Sequence, residues 1–207
     1  MRFSWFRAAL VASIAVGVSA ALAADSKFNR KLNVGSKAPS WKGLPGVDNK
    51  SHALADHKDA RAVVVFFTSN HCPTSAQYES RVRRLIADFR DRKLAVIAIN
   101  PGTEASETLE KMTRRARDRK YDFAYVRDHE QQTAKEYGAV CTPHYFLLGP
   151  ADDDGTRRIA YMGAFDDSMD ADRVENHYLR DAVEAVLSGK TVEVPESRPF
   201  GCPIDFE

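Results

Sequence analysis

The segment from Ala62 to Leu85 constrains the fold more than any other part of the chain. It begins with a short β-branched and aromatic run, Val63–Phe67, which is typical of a strand buried on both faces of a parallel sheet. A polar turn, Thr68–His71, follows, and Cys72-Pro73 then opens a helical pattern. Because the N–H groups and the dipole at a helix N-terminus stabilise a thiolate, Cys72 is predicted to be a reactive cysteine.

Strands and helices are predicted to alternate along the rest of the chain. Further extended segments are predicted at Leu94–Ile99, Asp122–Val126, Pro143–Leu148 and Arg157–Met162. Further helices are predicted from Thr103 or Ser106 onward, at Glu130–Tyr137 and at Asp170–Leu187. The last two strands are expected to form an antiparallel hairpin. The order therefore predicts an α/β domain with a mixed sheet flanked by helices.

The first 23 residues have the pattern of a secretory signal peptide. Arg2 and Arg7 supply a positively charged start, an apolar run follows at Ala8–Leu22, and the small residues Ala21 and Ala23 predict cleavage after Ala23. An uncleaved membrane anchor is the alternative, but this run is shorter than the ~20 residues that a spanning helix needs. We therefore expect an exported protein, periplasmic or secreted, with no membrane attachment after cleavage.

The remaining chain is predicted to hold one folded domain. Residues 24–40 are polar and predicted to be a flexible segment, residues 41–190 form the domain, and residues 191–207 form a tail with three prolines. Hydrophobic residues make up 43% of the sequence, which supports a packed core. The formal net charge of +1 gives no bulk attraction to nucleic acid, and we expect no nucleic-acid partner.

The cysteines of the chain are Cys72, Cys141 and Cys202. Disulfides persist in exported compartments, but an odd number of cysteines leaves at least one unpaired within a monomer. The residue three positions after Cys72 is Ser75, so the chain has no C-x-x-C motif. A reactive Cys72 therefore needs a thiol from elsewhere, either Cys141, Cys202 or an external one, to resolve an intermediate.

Four blocks of the sequence together resemble the exported thioredoxin-like, redoxin-domain proteins of the alkyl hydroperoxide reductase/thiol-specific antioxidant type. The blocks are Phe67–Pro73, Tyr137–Pro143, Ala160–Asp167 and Gly201–Ile204. The resemblance implies a thioredoxin-like three-layer α/β/α sandwich with a mixed sheet. It also implies that Cys72 begins the active-site helix and that a cis bond joins Thr142 to Pro143 beside that cysteine.

The resemblance implies a chemistry as well. It predicts a thiol-dependent oxidoreductase in which Cys72 attacks a protein disulfide or a peroxide, an external thiol serves as the reductant, and no cofactor takes part. Two positions depart from the related families. Ser75 stands where thioredoxins carry a second cysteine, and Asn70 stands where peroxiredoxins carry a threonine.

The residues leave open which thiol resolves the intermediate. Cys141 lies two residues before Pro143, so in this fold it is expected to rim the active site. Cys202 lies in the tail, which is long enough to return to Cys72 or merely to strap the sheet. The logic of the fold makes Cys141 the nearer candidate.

Two other functions are compatible with the same residues. His71 and His144 stand close in sequence to Cys72 and Cys141, and the four could offer thiolate and imidazole ligands for copper or zinc. The protein would then be a metallochaperone of thioredoxin fold. The third hypothesis is a redox-silent fold that binds a partner.

Overall fold

A computed structural model describes residues 25–207, and the predicted signal peptide lies outside the described residues. The strands are β1 Leu44–Pro45, β2 Ser51–His52, β3 Ala62–Phe67, β4 Leu94–Asn100, β5 Ala124–Arg127, β6 Cys141–Thr142, β7 His144–Leu148, β8 Ile159–Gly163 and β9 Cys202–Pro203. The helices are α1 Pro73–Asp88, α2 Leu109–Asp118, α3 Gln132–Tyr137 and α4 Tyr178–Leu187. Short 3-10 segments lie at Leu54–His57, Arg90–Arg92, Ala105–Glu107 and Ala171–Arg173.

The central sheet has the strand order β5-β4-β3-β7-β8. β4 pairs in parallel with both β3 and β5. β7 is antiparallel to β3, and β8 is antiparallel to β7. Every residue of β3 is buried, as its uninterrupted apolar run predicts for the middle strand. The predicted mixed sheet with a terminal antiparallel hairpin is therefore confirmed.

Alternate side chains of β3 point to opposite faces of the sheet, and each face has its own core. Val64 and Phe66 belong to the cluster that includes the buried residues of α1, α2 and α4. Val63 and Val65 belong to the cluster that includes Ala134 of α3. Helices thus cover both faces, which confirms the thioredoxin-like α/β/α sandwich.

The segment before the domain, residues 25–40, lies against the edge of the sheet and against α3. The Asn29 side-chain amide donates to the Tyr137 carbonyl at 2.8 Å. The Gly35 N–H donates to the carbonyl of Ile159 in β8 at 2.8 Å. These contacts cover the open edge of the sheet, which would otherwise expose unpaired backbone groups. The flexibility predicted for this segment stays a prediction.

The predicted start of the last helix is wrong. α4 begins at Tyr178 and not at Asp170. The Asp167 carboxylate accepts hydrogen bonds from the backbone N–H groups of Glu175 and Asn176, each at 3.0 Å, and so holds the preceding stretch as a loop. This use of Asp167 as a turn-stabilising carboxylate follows the ordinary preference of aspartate for backbone N–H groups.

The predicted start of the second helix is wrong as well. Neither Thr103 nor Ser106 caps α2; its N-cap is Thr108, whose hydroxyl accepts the Lys111 N–H at 3.4 Å. The 3-10 segment just before it turns the Glu107 side chain into the protein, where that side chain is fully buried. The buried Glu107 side chain therefore accounts for a helix that begins later in the sequence than predicted.

The tail straps the sheet and also returns to the start of α1. The Met162 N–H in β8 donates to the Pro195 carbonyl at 3.2 Å, and the Ser197 N–H donates to the Met162 carbonyl at 3.1 Å. Further on, β9 pairs antiparallel with β6. Between residues 25 and 207 no helix has the length and apolar character needed to cross a bilayer.

Candidate active site

Cys72 is the N-cap residue of α1. Its backbone is extended, with φ −73° and ψ 113°, and Pro73 fills the first helical position, where its missing N–H costs nothing. The Ser75 N–H donates to Cys72 Sγ at 3.3 Å. The sulfur therefore receives a backbone donor at the positive end of the helix dipole, an arrangement that favours a thiolate.

The loop before β7 packs directly on this sulfur. The Thr142–Pro143 peptide bond is cis, as the resemblance implies. The Cys72 thiol donates to the Thr142 carbonyl oxygen at 2.9 Å. The Thr142 hydroxyl lies 3.4 Å from Ser69 Oγ in the turn before α1. Thr142 thus joins the loop to both sides of the cysteine.

Cys202 lies against Cys72. The pairing of β9 with β6 sets Cys202 opposite Thr142, and the Cys72 and Cys202 sulfurs are 2.8 Å apart. Both are free thiols. Since an S–S bond is about 2.05 Å long, the two sulfurs need to approach by less than an ångström to form a disulfide. The residue that meets Cys72 is therefore Cys202 and not Cys141, contrary to the order of proximity expected from the sequence.

Close packing holds the tail just before Cys202. Gly201 approaches the Thr142 carbonyl so closely that a β-carbon at this position would overlap its oxygen. The Phe200 ring packs on Tyr78 of α1, with 6.0 Å between the ring centroids. The stacking of Phe200 on Tyr78 and the close fit of Gly201 against the Thr142 carbonyl together fix the position of the chain just before Cys202.

Hydrogen bonds hold the tail just after Cys202. The Ile204 N–H donates to the Val140 carbonyl at 3.2 Å. The Gln131 side-chain amide donates to the Asp205 carbonyl at 2.8 Å and accepts from the Glu207 N–H at 2.9 Å. Because contacts lie on both sides, the tail presents the Cys202 sulfur in a defined place, which is what rapid thiol exchange requires.

The two sulfurs differ in acidity. Burial raises the pKa of Cys72, but the hydrogen bonds from the side chains of Cys202 and Thr142 and from Ser75 outweigh it and lower the pKa to about 7. Burial and the hydrogen bond to Cys72 instead raise the pKa of Cys202. Near neutral pH the thiolate is therefore on Cys72 and the proton on Cys202, so Cys72 is the sulfur prepared to attack.

The AhpC/TSA family model matches residues 34–156, more than half of the chain, including Cys72 and the cis proline. The chain belongs to the AhpC/TSA family. Membership in this family, together with the thioredoxin-like fold, supports a general redox function. Cys202 lies beyond the matched residues. A search of curated proteins finds no match.

Solved structures share the fold of this AhpC/TSA-family chain over most of their length. A hypothetical protein SMc02350 from Sinorhizobium meliloti 1021 is 34% identical, over 86% of this chain and 97% of its own, with a TM-score of 0.77. An uncharacterized conserved protein from Geobacillus kaustophilus is 29% identical, over 86% and 95%, with a TM-score of 0.76. A putative thiol:disulfide interchange protein DsbE from Chlorobium tepidum is 21% identical, over 75% and 99%, with a TM-score of 0.60, and shows the shared fold alone.

Cys141 of the AhpC/TSA-family chain takes no part in this sulfur pair. It neighbours Thr142 in β6, and strand alternation sends its side chain to the opposite face. Its thiol donates to the Pro143 carbonyl at 3.6 Å. Burial raises the pKa of Cys141 to about 12, with added repulsion from Cys72 and Cys202. The buried, protonated thiol fits the role of a small apolar core residue.

The four side chains of the metal hypothesis do not converge within residues 25–207. The His144 ring is buried on Phe146, with 4.4 Å between the ring centroids, and its Nδ1 accepts the Val140 N–H at 3.4 Å. Burial lowers the pKa of His144 to about 3, so the ring is neutral. His71 turns instead to Glu107, with 2.7 Å between Nδ1 and Oε1.

Sequence reasoning missed Glu107 altogether. It follows a short polar stretch, Thr103–Ser106, that reads as an ordinary loop, and nothing in that stretch marks an inward-facing carboxylate. The structure brings this fully buried side chain to the turn that precedes Cys72, where it bonds to Asn70 and His71. The only sequence signal is indirect: the polar turn before Cys72 has backbone donors that need an acceptor.

Proposed function

We propose that the protein is an exported thiol-disulfide oxidoreductase in which Cys72 attacks a substrate disulfide and Cys202 resolves the mixed disulfide. The observation that supports this proposal is the separation of 2.8 Å between the two sulfurs. Thr142 and Pro143 form the wall beside the reacting sulfur. Cys141 is buried and has no part in the proposed exchange.

The cycle transfers two electrons from the protein to the substrate. The Cys72 thiolate attacks one sulfur of the substrate disulfide, so a Cys72–substrate bond forms, the substrate S–S bond breaks and one substrate thiolate leaves. Cys202 then loses its proton to solvent and attacks the Cys72 sulfur, which releases the second substrate thiolate. An external dithiol returns the resulting Cys72–Cys202 disulfide to two thiols and is itself oxidised.

The surroundings of Cys72 favour a disulfide over a peroxide as the substrate. Cleavage of a peroxide leaves an alkoxide or hydroxide, which cationic donors stabilise. Within residues 25–207 no lysine or arginine donates to Cys72. Arg81 of α1 is instead held by the Asp166 carboxylate at 2.6 Å and the Ser168 carbonyl at 2.7 Å. A disulfide carries its own leaving thiolate and needs no such cation.

The exported location is part of the proposal and is supported by the sequence of residues 1–23. In an oxidising compartment a low-pKa thiol beside a second thiol would remain reduced only through an external electron donor. The substrate and the donor are thus both expected to be exported thiol proteins. The formal net charge of +1 leads us to expect no nucleic-acid partner.

The Cys202→Ser variant should stop halfway through the cycle. With a small aromatic disulfide in excess, the reduced wild-type protein should release two equivalents of aromatic thiol through Cys72 and Cys202. The variant should release one and keep the other half of the reagent on Cys72, because no neighbouring thiol can displace it. Released thiol is read by absorbance, and the adduct by peptide mass spectrometry.

The matched control is Cys141→Ser, which removes the buried thiol and should still release two equivalents. Two equivalents from Cys202→Ser, or an adduct on Cys141, would contradict the proposed division of roles. If peroxide oxidises Cys72 of the Cys202→Ser variant faster than the disulfide does, a peroxide and not a disulfide would be the preferred substrate.

A further inference from the structure

A buried carboxylate lies behind the active-site turn. The Glu107 side chain is 0% exposed and comes from the 3-10 segment before α2. The donors to its two oxygens are Asn70 N at 2.8 Å, His71 N at 3.2 Å, His71 Nδ1 at 2.7 Å, Asn100 Nδ2 at 2.6 Å and Ser106 Oγ at 3.0 Å. A buried carboxylate with so many donors is stable as an anion.

Two of these donors are backbone N–H groups of the turn that ends at Cys72. Glu107 therefore fixes the path of Asn70 and His71 and, through it, the entry of the chain into α1. The Asn70 side chain adds a hydrogen bond to the Ser106 carbonyl at 2.9 Å, and Tyr125 donates to the Asn70 side-chain oxygen at 2.9 Å. The turn before the cysteine is thus bonded along its whole length to the neighbouring loop and strand.

His71 completes a charge pair with this carboxylate. Its side chain is 49% exposed, with Nδ1 bonded to Glu107 and Nε2 3.9 Å from Glu104. The hydrogen bond to Glu107 raises the pKa of His71 against the opposing effect of burial. Burial raises the pKa of Glu107, but its hydrogen bonds, that from Asn100 foremost, lower it overall.

The same cluster does not suit a metal ion. The ligand atoms of His71, Glu104 and Glu107 lie within 4.8 Å of one another. The Glu107 oxygens, however, already accept from five donors, and His71 Nδ1 serves as one of them. Metal coordination would deprive those donors of their acceptor, and it would leave one N–H of the fully buried Asn100 amide unpaired.

We propose that Glu107 is a positioning residue of the active site, which fixes the Asn70–His71 turn and holds an imidazolium beside Cys72 as its counter-charge. The inference rests on the proposed role of Cys72 as the nucleophile. Protonated His71 balances the negative charge of Glu107, so that a thiolate can form at Cys72 beside the pair. Since the negative charge of Cys72 favours protonated His71, protonated His71 favours the thiolate by the same amount.

The charged groups around His71 determine how its replacement would change the pKa of Cys72. Glu104 and Glu107 face it from the 3-10 segment, Cys72 follows it in the chain, and Asp205 of the tail lines the same pocket. All four of these neighbouring groups are acidic. Loss of the imidazole would therefore leave Glu107 uncompensated and would raise the pKa of Cys72.

The experiment uses a chain whose sole thiol is Cys72, with Cys141→Ser and Cys202→Ser, so that it reads ionisation independently of disulfide formation. His71→Gln should slow alkylation of Cys72 near pH 6 about ten-fold, the effect of an uncompensated charge within a few ångströms. The pH profile of the rate should move to higher pH. His71→Gln combined with Glu107→Gln should recover to within about three-fold of the parent, because both charges are gone.

A purely structural role for Glu107 predicts the opposite order, with the double variant the slowest. That result, or an unchanged profile in His71→Gln, would overturn the proposal. If the double variant fails to fold by thermal unfolding, His71→Lys carries the test, since it restores a positive charge on a half-exposed site. It should recover the rate, and a rate as slow as that of His71→Gln would overturn the proposal. Glu104→Gln is the matched control and should change the rate less than about two-fold, as expected for an exposed charge.

Discussion

Replacing Cys72 with serine should abolish disulfide exchange, with a loss of at least about 10³-fold, because a serine hydroxyl is not ionised near neutral pH and is a poor nucleophile. The cause lies in the site as well as in the residue. The thiolate of Cys72 is stabilised by the Ser75 N–H and by the side chains of Thr142 and Cys202, and its pKa is about 7. The rate of reduction of a protein disulfide measures the effect.

The matched control for this prediction is Cys141→Ser. Its thiol is buried, has a pKa of about 12 and bonds to the Pro143 carbonyl, so its loss should change the rate less than about two-fold. Equal losses in Cys72→Ser and Cys141→Ser would contradict the assignment. So would substantial exchange activity in Cys72→Ser, since Cys202 would then be acting as an independent nucleophile.

Gly201→Ala should slow formation of the Cys72–Cys202 disulfide about 10²-fold, although it changes neither sulfur. The added β-carbon would overlap the Thr142 carbonyl oxygen and lie 3.0 Å from the Pro143 nitrogen. Both neighbours are backbone atoms of the loop that also carries the Cys72 contact, so the tail must move instead. A displacement of about 1 Å at reacting atoms is enough for an effect of this size.

The rate of thiol loss after addition of an oxidant measures this effect, with Gly189→Ala as the matched control. Gly189 also has a positive φ, +69°, but its β-carbon would meet nothing within 4 Å. Gly189→Ala therefore tests the cost of an alanine in a left-handed conformation, about 1–2 kcal/mol, without the steric overlap. If Gly201→Ala forms the disulfide at the wild-type rate, the tail does not hold Cys202 in the manner described.

The elements that the sequence predicts well are those set by local pattern. The buried run Val63–Phe67 forms the middle strand β3, and Cys72-Pro73 begins α1, because strand burial and helix capping depend on neighbouring residues. The cis bond before Pro143 was implied by the resemblance and is present. The general fold therefore followed from short-range signals and one family likeness.

The pairing of the active-site thiols could not be predicted in the same way. Cys202 is 130 residues from Cys72 and reaches it through a two-residue strand, β9, that has no hydrophobic pattern of its own. Its position depends on Gly201 fitting against Thr142 and on Gln131 binding the end of the tail. Such long-range contacts leave no periodic signal.

The role of Glu107 could not be predicted from the sequence for a related reason. A charged residue in a polar loop is usually exposed, and the sequence gives no count of the donors that will surround it. The backbone N–H groups of Asn70 and His71 became its partners only when β4 and β3 set their two loops side by side. The segment that carries Glu107 ends just before Thr108, the N-cap residue, so the helix begins at Leu109.

The most direct measurement for the central claim is disulfide mapping of the wild-type protein after mild oxidation, by mass spectrometry of peptides from the unreduced chain. The 2.8 Å contact between the sulfurs predicts a single intramolecular bond between Cys72 and Cys202, with Cys141 recovered as a free thiol. A bond from Cys72 to Cys141, or a Cys72 that stays reduced while Cys202 links two molecules, would contradict it.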